Sequence, residues 1–136
     1  KQQNVLQKTF INYGRKKMVN KELLSAVLGV NIKDVYKLES NPNLGKNDIP
    51  YSIRGYGDIE WINIYELAHK CKEWVISKGY DILSGGLEAG LHSCYIDYSD
   101  KRYTLQMNPL HYEFADTEPE AIFATCQWIL DNKDKS

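Results

Sequence analysis

The 136-residue chain has little of what marks many specialised proteins. Its three cysteines, Cys71, Cys94 and Cys126, are far apart in sequence and form no CxxC pair. So odd and sparse a set excludes a secreted disulfide framework, a thioredoxin-like site and a zinc ribbon. Charge of one sign is also missing: 17 Lys and Arg stand against 18 Asp and Glu, for a net charge of −1. No overall basic field exists to gather nucleic acid. The longest nearly apolar stretch, Leu23 to Val30, contains Ser25 and Gly29 and has about half the length of a membrane span. No basic segment leading into an apolar core opens the chain, so a signal peptide is not expected and a cytoplasmic location is. The phosphate-loop, dinucleotide-binding, nucleophile-elbow and zinc-protease motifs are all missing.

What remains is an ordinary folding composition. Hydrophobic residues make up 43% and charged residues 26%, which indicates a packed domain and not a disordered chain. The length fits one core. Charge is unevenly spread, however. Residues 1–17 contain Lys1, Lys8, Arg15, Lys16, Lys17 and no acid, a charge of +5, while residues 18–136 carry 12 basic and 18 acidic residues, a charge of −6. Met18-Val19-Asn20-Lys21 also reads like a translation start. The expected organisation is therefore a basic segment, 1–17, and a single α+β domain, 18–136. The segment is either an appendage or an amphipathic helix with Val5, Leu6, Thr9, Phe10 and Tyr13 at helical spacing.

Local signals place the elements. Asn20 is an N-cap for a short helix from Lys21 to Leu28, and Gly29 stops it. Ile32 to Glu39 has strand composition. Tyr51–Ile53 and Ile59–Ile62 read as short extended pieces around a Gly55-Tyr56-Gly57-Asp58 turn. Asn63-Ile64-Tyr65-Glu66 has capping-box form and opens a helix over 64–78, with Ile64, Leu67, Ala68, Cys71 and Val75 as its apolar stripe. Tyr80 to Ser84 begins a strand. Strand alternation recurs over 93–98, 102–107 and 112–115. Thr117-Glu118-Pro119-Glu120 is a full capping box with Pro in the first turn, and a helix over 118–131 follows, with Ala121, Ile122, Thr125, Cys126 and Ile129 inward. The fold class is α+β: an antiparallel β-meander with helices packed against one face, in the order helix, strands, helix through the C-terminal half.

Each candidate chemistry has a plainer reading beside it. His69 and Cys71 lie at i, i+2 on a helix, about 200° apart, and cannot share an ion. His92 and Cys94 share a strand face, with His111 across the meander, but zinc wants three or four converging ligands and no carboxylate sits at a recognisable spacing; no metal and no cofactor is expected. A Cys94–His catalytic pair lacks a local oxyanion nest, and no catalytic residue is assigned. Helix–three strands–helix is also the order of double-stranded-RNA-binding domains. Those meet phosphates at the start of the last helix, where this chain has Glu118-Pro119-Glu120. Nucleic acid is thus not expected to bind, except through the basic segment 1–17. Tyr51, Arg54, Tyr56 and Trp61 fall in one Gly-containing connection, and these residue types dominate binding hot spots. They are the candidate partner-binding residues, and aromatic filling over a sheet edge is the plainer reading.

From about Ile62 onward the chain resembles small phage and prophage proteins of the ABA-sandwich type. The resemblance rests on Ile64-Tyr65-Glu66-Leu67, Trp74, Gly79-Tyr80, the strand from Cys94 to Tyr98, and Ala115-Asp116-Thr117-Glu118-Pro119-Glu120-Ala121-Ile122-Phe123. It covers a little over half the chain and implies a mobile-element origin; residues 1–61 do not obviously share it. The family supplies no catalytic residue. The expected function is a non-enzymatic accessory protein that binds a host or phage protein, for example an inhibitor of a host defence complex of the anti-CRISPR kind. The alternative is a small-ligand or nucleotide-binding protein using the loops 51–61 and 85–92, and an uncharacterised enzyme comes third. No membrane partner is expected, and a homo-oligomer is compatible with the composition.

Overall fold

A computed structural model describes residues 19–36, 47–54, 59–100 and 108–132. The basic segment 1–17, Tyr56 and the strand expected over 102–107 lie outside the described residues. The first helix, α1 (Lys21–Leu28), forms where its end signals put it. The Asn20 side-chain oxygen accepts the Leu23 N–H at 2.9 Å. Gly29, at φ 74°, turns the chain out of the helix as its N–H donates to the Ser25 carbonyl, a left-handed conformation that favours glycine. Leu23 and Leu24 are fully buried and anchor α1 to the core.

Strands β1 (Asp34–Val35), β2 (Asp48–Ser52) and β3 (Ile59–Asn63) form one antiparallel sheet in that order. β1 is much shorter than the strand expected over 32–39, whose end lies outside the described residues. Ile49 pairs with Ile62, Pro50 with Trp61 and Tyr51 with Glu60. Strand β3 runs straight into α2 (Ile64–Ser77), because Asn63 ends the strand and caps the helix, its side-chain oxygen accepting the Tyr65 N–H at 2.8 Å. The cap therefore reaches the second helical residue, not the third that a capping box would use. Gly79, at φ 96°, reverses the chain into the second sheet.

That sheet consists of β4 (Tyr80–Gly86), β5 (His92–Tyr98) and β6 (His111–Ala115), antiparallel in sequence order. A short 3₁₀ turn, Glu88–Gly90, joins β4 to β5. β5 pairs directly with β6, Tyr95 opposite Tyr112, and its other neighbour is β4, with Leu83 opposite Tyr95. The meander of the described residues is thus β4–β5–β6, with β5 and β6 direct neighbours in the sheet. Alternation alone could not reveal this, because it shows that a segment is extended but not what it pairs with.

α2 and α3 (Glu118–Asn132) pack on each other and on the inner face of this sheet. Leu67, Cys71 and Val75 from α2, Ala121, Ile122 and Cys126 from α3, and Cys94 and Ile96 from β5 are all buried. Ile49 and Ile62 of the first sheet belong to the same core. Among the described residues, no helix is long and apolar enough to cross a membrane.

At α3 the threonine half of the capping box forms, and Glu120 returns to the threonine hydroxyl. The Thr117 hydroxyl accepts the Glu120 N–H at 3.3 Å and donates to the Glu120 carboxylate at 2.8 Å. Thr117→Ala is expected to lower unfolding free energy by about 1 kcal/mol in urea denaturation. An unchanged midpoint would mean that the acids of the first turn hold this helix end without the threonine.

Candidate functional site

Strand β6 has its polarity reversed. The inner, helix-facing side takes His111, Glu113 and Ala115, while Tyr112 and Phe114 point outward. Tyr112 is 53% exposed and Phe114 39%, whereas the His111 and Glu113 side chains are only about a fifth exposed. Burying an aromatic ring is normally favourable and burying a charge normally costly, so a sheet strand usually adopts the opposite parity. The polar pair is accommodated by local contacts. His111 Nε2 lies against the Glu113 carboxylate, and the imidazole stacks on the Trp128 ring of α3, centroids 4.2 Å apart.

The cause of the reversal lies at the end of the strand. Ala115 is buried, and only Asp116 and Thr117 separate it from α3, which must pack on the same sheet face. With Ala115 turned inward, strand period puts 113 and 111 inward and 114 and 112 outward. The register across the sheet then gathers an apolar surface. Leu83, Tyr95 and Tyr112 form one row over three strands, and Phe114 borders it in the next row beside Ser93 and Gly85. Tyr112 meets Phe114 edge-on at 5.2 Å and Tyr95 at 6.2 Å. Asp81 and Asp97, opposite each other, close one end of this face.

The residues expected to bind a partner do not share one surface. Trp61 is 56% exposed on the outer face of the first sheet. Tyr51 points the other way and packs half-buried against the core. Burial raises its phenol pKa, with Glu60 and Glu66 adding to the effect. Arg54 is exposed just beyond the end of β2, and Tyr56 lies outside the described residues. The aromatic face of the second sheet was missed because an aromatic strand reads as core. The usable signal was the two-residue link from Ala115 to the capping threonine, which fixes strand parity.

The three cysteines, remote in sequence, converge between α2, α3 and β5. The Cys126 thiol lies 3.9 Å from the Cys71 carbonyl oxygen, and its hydrogen bond with the Cys71 thiol, together with burial, raises its pKa. Burial pushes the Cys94 thiol up to about 11, although a hydrogen bond with Thr125 opposes this. All three are free and buried, and the nucleophilic form, the thiolate, is disfavoured at neutral pH for Cys94 and Cys126. No group of three or more His, Cys, Asp or Glu among the described residues could hold a metal ion.

The acids at the start of α3 have structural partners: Glu118 accepts from the Ser84 hydroxyl and pairs with Lys72 at 3.8 Å. A cleft of about 180 Å³ opens there, lined by Tyr65, Ala68, His69, Lys72, Glu118, Pro119 and Ile122. It is smaller than ligand pockets usually are. A second cleft, about 310 Å³, lies between α1 and α2 beside Trp74. Neither is lined by residues of the loops 51–61 or 85–92.

Comparison with protein-family models, curated proteins and solved structures finds no match to this chain.

Two outcomes follow from these environments. Trp61→Ala is expected to leave the melting midpoint nearly unchanged, while Tyr51→Ala, which empties part of the core edge, lowers stability by about 1–2 kcal/mol in chemical denaturation. Equal effects would place both residues in the same environment. The second concerns alkaline pH. The Cys94 pKa is about 11 when folded against 9.0 for an ordinary exposed thiol. Its contribution is therefore complete below pH 9, where the thiol is neutral in both states. It is lost as pH rises from about 9 to about 11, because the unfolded chain ionises first. The loss is about 2–3 kcal/mol, read from denaturation midpoints across that window. Cys94→Ala should remove this part of the pH dependence.

Proposed function

We propose that the protein is a non-enzymatic accessory protein, of phage or prophage type, that works by binding another protein through the outer face of its second sheet. The observation that carries the reading is the reversed polarity of β6. Tyr112 and Phe114 stand in solvent beside Leu83, while His111 and Glu113 occupy the helix side. An apolar surface of this kind on a small domain marks an interaction site, and aromatic residues supply most of the energy at such sites. The resemblance read from the sequence of the C-terminal half points to a host or phage protein as the partner, and a component of a host defence complex is the finer form of the proposal. Trp61, on the first sheet, offers a second aromatic contact. The buried thiols of Cys94 and Cys126, which burial disfavours as thiolates, give no support to covalent catalysis.

The test is affinity capture from the native bacterial host with the full chain, run beside the double variant Tyr112→Ser with Phe114→Ser. A specific host protein is expected to be retained by the wild type and at least tenfold less, about 1.4 kcal/mol, by the variant at unchanged melting midpoint. Retention of the same protein by both would move the interface elsewhere, and Trp61→Ala would then be the next variant. Capture of no protein, with turnover of a small molecule instead, would overturn the reading.

A further inference from the structure

The polarity of β6 bears on its edge as well as its face. Among the described residues β6 is the last strand of its sheet and nothing pairs with its outer edge. Exposed edges are usually guarded by a lysine, a proline or an inward-pointing charge. Between His111 and Ala115 there is neither lysine nor proline, and the guard present is Glu113. An incoming strand would have to place a side chain opposite that carboxylate on the helix side of the sheet. An apolar group or an acid there would be unfavourable.

β6 itself meets the requirement. We propose that two copies of the chain associate by antiparallel pairing of their β6 edges about a two-fold axis at Tyr112, giving one six-stranded sheet. The sequence Leu110-His111-Tyr112-Glu113-Phe114 is self-complementary about its centre. In this register His111 of each copy lies opposite Glu113 of the other, extending the His111–Glu113 contact already present within each copy into an alternating ring of four groups. Leu110 of each copy lies opposite Phe114 of the other, and the two Tyr112 rings meet at the axis. All three are at least a third exposed in the single chain, so pairing covers surface that is now open. A shift of centre to Glu113 would set the two carboxylates opposite each other and is disfavoured. Pro109, without an N–H, ends the pairing. The guard on the edge therefore acts as a selector, disfavouring strands with an acid or an apolar group at that position and accepting its own copy.

The inference does not rest on the identity of a host partner, since it concerns purified protein alone. A five-residue edge is a small interface, so association is expected in the micromolar range. Sedimentation velocity of the full chain, from about 1 to about 200 µM, should show a reversible monomer–dimer equilibrium. Tyr112→Lys, which sets two ammonium groups at the axis from an exposed position, should leave the melting midpoint at low concentration intact and weaken dimerisation at least tenfold. His111→Glu should also dissociate the dimer, and His111→Glu with Glu113→His should restore it, because the exchange keeps opposite groups opposite. Leu83→Ser, on the same face but two strands from the edge, should have no effect. A wild-type chain that stays monomeric throughout overturns the proposal. So does a dimer indifferent to Tyr112→Lys, or one lost equally with Leu83→Ser, which would indicate stacking of faces instead of pairing of edges.

Discussion

The close packing of α2 against α3 over β5 is the constraint on which the rest depends. Small side chains make the contact possible: Ala68 and Cys71 on one helix, Ala121, Thr125 and Cys126 on the other, Cys94 beneath them. Larger groups here would push the helices apart and open voids, since interiors pack at near-crystalline density. The cysteines serve as small apolar groups with weak hydrogen-bonding ability. Thr125 turns its hydroxyl onto the Ala121 carbonyl at 2.9 Å, so its polar atom is satisfied within the core.

From that contact the orientation of the sheet follows. β5 must give Cys94 and Ile96 to the helices, which leaves Tyr95 on the other side. β6 must give Ala115, because the chain has only two residues in which to climb from strand to helix. The cost is that two aromatics face water and a His–Glu pair faces Trp128. A local sequence preference has yielded to a connection length. Such conflicts between local and global demands tend to occur where a protein has something to do besides fold.

The ends of the elements were the most legible features. Asn20, Gly29, Asn63, Gly79 and Thr117 mark boundaries that the structure keeps, because caps and left-handed turns are chemistry of one or two neighbouring residues. The apolar stripes of α2 and α3 were equally readable, since helical period identifies a buried face without reference to what covers it. Strand pairing was not. That β5 takes β6 directly as a neighbour depends on residues 15 or more positions apart, and alternation carries no record of them. The candidate site shared this weakness. Tyr51 and Trp61 are both aromatic and both in strands, yet one residue of register difference sends them to opposite faces.

By itself, then, the sequence determined an α+β domain, its helix boundaries, the inward stripe of each helix and the lack of familiar catalytic motifs. These are set by contacts within a few residues or by composition. Only the tertiary structure decided that three distant cysteines share one core, that Tyr51 is half-buried while Trp61 is exposed, and that β6 turns its aromatic side outward. Those outcomes depend on which strand lies beside which and on how far α3 can reach from Ala115, quantities that exist only once the chain has closed on itself.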